Sequence, residues 1–136
     1  MADVDRSNRP VIVDRPLSPF MIGPYYRPQI TSITSILTRI TGLGLIVPGL
    51  LIVWWFLAAA TGPAAFARAN GFLTSWFGDL LLTLSVLALW YHFLAGLRHV
   101  WWDNTARGMD IETATKLGYG LFIGSAVLTV LTLFIV

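Results

Sequence analysis

Three long stretches of the chain carry no charged residue and consist mostly of apolar side chains. They cover about residues 40–60, 80–97 and 117–136. Each is close to the length that crosses the hydrocarbon core of a bilayer as a helix. The ten-residue alternation that is typical of membrane-spanning β-strands does not occur. The pattern predicts an all-α integral membrane protein with three transmembrane helices, at about residues 30–60, 74–102 and 112–136.

Composition supports this class and excludes several functions. Hydrophobic residues make up 56% of the chain and charged residues 12%, whereas about 25% charged residues is usual in soluble domains. The net charge of +2 is spread along the chain, so no basic patch suggests a nucleic-acid partner. No cysteine is present, which excludes disulfides, thiolate catalysis and iron–sulfur ligation by this chain. We predict no catalytic residue.

The segment before the first helix differs from the rest of the chain. Residues 1–29 are polar and contain five prolines and four arginines, Arg6, Arg9, Arg15 and Arg27. The chain therefore divides into an N-terminal arm, residues 1–29, and a transmembrane domain, residues 30–136. Since positive charge favours the cytoplasmic side, we expect a cytoplasmic N-terminus and, after three crossings, a periplasmic C-terminus. The second connection carries Arg107 and Lys116, with Arg98 at its membrane edge, and is expected to be cytoplasmic.

His92 is the strongest candidate for chemistry, because it lies about halfway along the second span. An ionisable side chain at that depth indicates a functional site. Ala88 and Gly96 lie one helical turn on either side of it. Because both residues are small, a flat macrocycle could pack against this face of the helix. Neutral imidazole binds haem iron without bringing a charge into the membrane. The alternative is a buried histidine that bonds to a neighbouring helix. His99, at the cytoplasmic edge, is the weaker candidate.

A second candidate site lies near the start of the first helix. Ser35 and Arg39 are one turn apart and share a face. A hydroxyl and a guanidinium in this arrangement suit a quinone carbonyl or a haem propionate. The alternative is that Arg39 extends to the interface, while Ser35 and Thr38 bond back to helix carbonyls.

Four segments of the sequence together resemble a known family. They are RPLSP (15–19), SILTRITG (35–42), YHFLAGLRH (91–99) and WD (102–103). In this order and spacing they resemble the cytochrome b membrane-anchor subunit of succinate dehydrogenase, respiratory complex II of the tricarboxylic acid cycle. The resemblance spans nearly the whole chain.

The resemblance implies a bundle of three helices that is completed by a second membrane-anchor subunit, with a haem b held between the two. It implies that the anchors tether an iron–sulfur subunit and a flavoprotein subunit, and that ubiquinone is reduced where the iron–sulfur subunit meets them. This chain would not be catalytic by itself. Its membrane would be the bacterial inner membrane, or the mitochondrial inner membrane in a eukaryote. An anchor of a quinol:fumarate reductase and a haem-free structural anchor are the alternatives.

Carried over by motif, His92 is an axial ligand of the haem iron, opposite a histidine of the partner anchor. Ser35 and Arg39 match positions that bind quinone, and Arg39 and Thr38 match the vicinity of the haem propionates. The family usually has histidine where this chain has Thr38. Threonine can form a hydrogen bond but cannot supply positive charge to a propionate, so we expect Arg39 to carry that contact.

Overall fold

The computed structural model describes residues 28–135, and this part of the chain is almost entirely helical. The helices are α1 (Ile30–Gly44), α2 (Ile46–Thr61), α3 (Pro63–Leu73), α4 (Trp76–Thr105) and α5 (Ile111–Ile135). Three spans, namely α1 with α2, α4, and α5, are long and apolar enough to cross a membrane. The predicted all-α, multi-pass membrane architecture is confirmed. Most of the predicted arm, residues 1–27, lies outside the described residues.

The first span contains a local break at Leu45, between α1 and α2. Pro48 has no N–H, so the carbonyl of Gly44, four residues earlier, cannot receive its usual helical hydrogen bond. The bonds on either side persist, since the N–H of Leu45 donates to Thr41 (3.0 Å) and that of Gly49 to Leu45 (3.2 Å). The span therefore stays continuous while its geometry changes locally.

The connection after the first span contains a helix of its own. Gly62 adopts a φ of +143°, which side chains rarely allow, and α3 begins at the next residue, Pro63. Helix α3 packs against α2 through aromatic rings: the centroids of Trp54 and Phe72 are 5.8 Å apart, and those of Trp55 and Phe66 are 5.4 Å apart. The connection between the first two predicted transmembrane helices, residues 61–73, is thus mostly helical.

The protein core lies where α1, α4 and α5 meet. Tyr91 and Ala95 of α4 and Leu121 of α5 are buried there, and Leu37 and Phe122 pack against them. Most large apolar side chains are instead exposed, including Leu43 (70%) and Phe134 (86%). Exposed apolar surface of this extent suits contact with lipid or with another membrane subunit.

Glycines permit close contact between α5 and its neighbours. A Cβ atom on Gly118 would lie 2.6 Å from Cγ2 of Ile30, and one on Gly124 would lie 3.0 Å from Cδ1 of Leu94. A Cβ atom on Gly120 would meet no other atom within 4 Å. Of the three, Gly118 therefore allows the closest approach, between α5 and α1.

Asp110 caps the start of α5. The backbone N–H of Thr113 donates to Oδ2 of Asp110 (2.9 Å). This bond favours the ionised carboxylate, and it holds the pKa of Asp110 below its ordinary value. The negative charge also suits the positive end of the helix dipole.

We predict that Gly118→Ala destabilises the protein relative to Gly120→Ala. Both changes gain the same helix propensity, but the new methyl group at Gly118 overlaps Ile30. Overpacking of this kind costs about 1–3 kcal/mol. Thermal unfolding of the two variants in the same detergent measures the difference, and equal melting temperatures would contradict this account of the α1–α5 contact.

Candidate functional site

His92 of α4 is half-buried against α1. Its Nδ1 atom lies 3.1 Å from the carbonyl oxygen of Thr38 and 3.4 Å from Oγ1 of Thr41. A carbonyl oxygen can only accept a hydrogen bond, so the contact with Thr38 requires the proton to be on Nδ1. The Thr41 hydroxyl donates to Leu37 (2.7 Å) and can accept from His92. The neutral ring then keeps the lone pair of Nε2 free for another ligand.

Gly42 provides the surface on which the imidazole lies. A Cβ atom built there would be 2.8 Å from Cε1 and 3.3 Å from Nδ1 of His92. Real Cβ atoms essentially never approach another atom so closely, so any side chain at this position must displace the ring. The hydrogen bond to Thr38 thus depends on the absence of a side chain at Gly42.

Of the two small residues that were predicted to flank His92, Ala88 and Gly96, the glycine has open space beside it. A Cβ atom on Gly96, one turn after His92, would meet nothing within 4 Å. Ala88, one turn before His92, instead lines a groove with Thr41 and Phe122 between α1, α4 and α5. A flat group that contacts His92 therefore has space beside Gly96.

Ser35 and Arg39 are both exposed on α1. Between residues 28 and 135, Arg39 forms no salt bridge. Both lie close along the helix to the turn that contacts His92, since Ser35 precedes Thr38 by three residues, which is roughly 5 Å. Along α1, the pair Ser35 and Arg39 therefore lies next to the residues that contact His92.

The side chain and the main-chain carbonyl of Thr38 make separate contacts. Its hydroxyl donates to the carbonyl of Thr34 (2.8 Å), and its own carbonyl accepts from His92. The hydroxyl is thus used within the helix, as the alternative interpretation of this residue expected. The main chain of Thr38, with Thr41 and Gly42, completes the site in a way that sequence reasoning missed. The spacing of Thr41 and Gly42, three and four residues after Thr38, indicated that they share its face of α1, but nothing in the sequence marked the Thr38 carbonyl.

His99 lies apart from this site. Its side chain is exposed, and its ring meets the edge of Trp102, with centroids 5.7 Å apart. In the part of the chain that the structure describes, no group of three or more His, Asp or Glu side chains could hold a metal ion. Any metal at His92 would therefore need ligands from another source.

A buried polar cluster lies at the same α1–α4 contact, toward the start of α1. The hydroxyl of Tyr91 donates to the carbonyl of Thr34 (3.2 Å), and Nη1 of Arg98 donates to the hydroxyl of Thr34 over 3.5 Å. The guanidinium of Arg98 lies 4.7 Å from the ring centroid of Trp102. Arg98, which the sequence suggested at the membrane edge, is only 8% exposed.

Comparison with known proteins adds to this geometry. The family of succinate dehydrogenase/fumarate reductase transmembrane subunits matches residues 12–132. The chain is 50% identical over 135 residues to the succinate dehydrogenase cytochrome b556 subunit of Paracoccus denitrificans, covering 99% of this chain and 97% of that one. It is 32% identical over 117 residues to the same subunit of Rickettsia bellii, covering 86% and 89%. It is 33% identical over 129 residues to the succinate dehydrogenase cytochrome b560 subunit of Reclinomonas americana, covering 91% and 87%.

Proposed function

Because the chain belongs to the family of succinate dehydrogenase/fumarate reductase transmembrane subunits, we propose that it is the cytochrome b membrane anchor of a succinate:ubiquinone oxidoreductase. In this role it holds the flavoprotein and iron–sulfur subunits at the membrane together with a second anchor subunit. The observation that carries the proposal is the imidazole of His92, whose Nδ1–H is held by Thr38. The relatives' names favour succinate oxidation over the fumarate-reducing alternative.

Haem b is the cofactor that fits His92. A ligating histidine normally donates its second ring N–H to a carbonyl or carboxylate, which fixes the tautomer and the ring orientation. His92 has this bond, to Thr38, and its ring lies against Gly42 while Gly96 leaves space beside it. When bound, haem would supply one-electron chemistry at its iron. Any further ligand to the iron and the rest of the pocket would come from the partner anchor.

The proposed quinone site consists of Ser35 and Arg39. Reduction of a quinone increases negative charge on its carbonyl oxygens, and a hydroxyl and a guanidinium are donors that stabilise such charge. In this site the guanidinium of Arg39 binds and orients the quinone through its hydrogen-bond donors. Both side chains are exposed on α1, where another subunit could close the site.

The proposed propionate contact falls mainly to Arg39. The hydroxyl of Thr38 donates its proton to Thr34, which leaves it no proton for a propionate. Arg39 is exposed and cationic, and it follows Thr38 directly in the chain. The positive charge of the Arg39 guanidinium would then stabilise both the quinone and a propionate.

The proposed orientation places the start of α1 on the cytoplasmic side of a bacterial inner membrane, or the matrix side of a mitochondrial one. Arg6, Arg9, Arg15 and Arg27 precede α1, and Arg107 and Lys116 lie on the same side, whereas Arg68 is the one basic residue between the first two spans. This distribution follows the positive-inside rule. Ser35 and Arg39 would then lie near the side on which the iron–sulfur subunit docks.

We expect His92→Leu to abolish the b-type absorption bands of the purified complex, because leucine offers no lone pair to iron. His99→Leu is the matched control and should leave the bands intact, since its ring lies against Trp102. Difference spectra of the dithionite-reduced and oxidised complexes measure the result. Unchanged bands in His92→Leu would reject the ligand assignment. Absence of the bands from the wild-type complex would instead support the alternative of a haem-free structural anchor.

We expect Gly42→Ala to reduce the haem retained per complex, because the new methyl group displaces the imidazole and breaks its bond to Thr38. Gly44→Ala is the control, because a Cβ atom there meets nothing within 4 Å. The haem-to-flavin ratio of the purified complexes measures retention. A ratio in Gly42→Ala equal to that in Gly44→Ala would show that the close contact does not govern haem binding.

We expect Arg39→Ala to lower ubiquinone reductase activity roughly 10- to 100-fold, the range for loss of a charged hydrogen-bond donor. Succinate oxidation with an artificial acceptor that bypasses the quinone site should persist, because such an acceptor takes up the electrons before they reach the quinone. Arg68→Ala, an exposed arginine of α3, should change neither activity. An equal loss of both activities in Arg39→Ala would indicate an assembly defect and reject the quinone role.

A further inference from the structure

Arg98 is a buried cation that the proposed function does not use. Its side chain is 8% exposed and follows His92 on α4 by six residues, roughly 9 Å along the helix axis. A guanidinium remains charged in proteins, even when burial opposes the charge. The structure therefore places a permanent positive charge inside the bundle, within about two helical turns of the proposed haem ligand.

No acidic side chain among residues 28–135 neutralises this charge. The acidic residues of this region are all exposed, and the salt bridge found there joins Lys116 and Glu112. Arg98 instead contacts neutral groups, namely the hydroxyl of Thr34 and the ring face of Trp102. Its Nε and the Nε1 of Trp102 are buried without a hydrogen-bond partner. The charge is thus only weakly compensated by its surroundings.

The cation and the proposed ligand contact the same stretch of α1. Arg98 bonds to Thr34, and His92 bonds to Thr38, one turn further along. The hydroxyl of Thr38 donates to the carbonyl of Thr34. A charge held in protein interior is screened far less than one in solvent, so its field acts over the distance to a group at His92.

We propose that the fixed positive charge of Arg98 raises the reduction potential of the haem bound at His92. This inference rests on the proposed function. Reduction adds one electron to the haem, and a nearby fixed positive charge stabilises the reduced state relative to the oxidised one. A unit charge about 10 Å away in protein interior changes such an equilibrium roughly tenfold.

The test is a redox titration of the b-type bands in purified complexes. Arg98→Gln should lower the midpoint potential, by about 59 mV for a roughly tenfold change in a one-electron equilibrium. Arg98→Lys keeps the charge and should restore most of the wild-type potential. Arg107→Gln removes an exposed cation whose charge is screened by solvent, and it should leave the midpoint potential unchanged. A wild-type potential in Arg98→Gln, or equal shifts in the Gln and Lys variants, would overturn the proposal.

A second pair of variants tests the same charge without removing Arg98. Thr34→Asp places a carboxylate next to the guanidinium, whereas Thr34→Asn has nearly the same shape without charge. The Asp variant should have the lower midpoint potential, and equal potentials would overturn the proposal even if Arg98→Gln failed to assemble. A wild-type complex without b-type bands would overturn the proposed function as well, whereas bands with unaltered potentials would overturn this inference alone.

Discussion

The hydrogen bond from Nδ1 of His92 to the carbonyl of Thr38 is the constraint on which the proposed site depends. It determines which ring nitrogen carries the proton, so that the other nitrogen carries the lone pair that can bind a ligand. It also joins α4 to α1, the helix that carries Ser35 and Arg39. One contact therefore relates the proposed metal ligand to the proposed quinone site, and Gly42 makes this contact possible by leaving room for the ring.

The membrane environment accounts for the concentration of polar groups at this contact. Lipid supplies no hydrophobic driving force between helices, so close packing and interhelical hydrogen bonds must hold them. Gly118 lets α5 approach α1, and Thr34 accepts bonds from Tyr91 and Arg98. These groups hold α1 against α4, while His92, Ser35 and Arg39 remain available to groups outside this chain.

The sequence was sufficient to predict the three spans, because uncharged apolar stretches of bilayer length are typical of transmembrane helices. His92, Ser35 and Arg39 were identifiable because polar groups are rare in such stretches, and the family is confirmed by the comparisons. The roles of these three residues stay predictions.

Helix α3 was missed because its sequence is short and mixed in polarity. The carbonyl of Thr38 could not be predicted, since every residue has one and only the helix packing selects it. The burial of Arg98 was also missed, because the pattern of charges gives a residue's position along the chain but not the direction in which its side chain points.

An experimental structure of the complete, haem-replete complex tests the central claim most directly. The account predicts Nε2 of His92 at bonding distance from the iron, with Nδ1 within hydrogen-bond distance of the Thr38 carbonyl and the ring against Gly42. A structure in which the iron is bound elsewhere, or in which Nδ1 rather than Nε2 faces the iron, would contradict it.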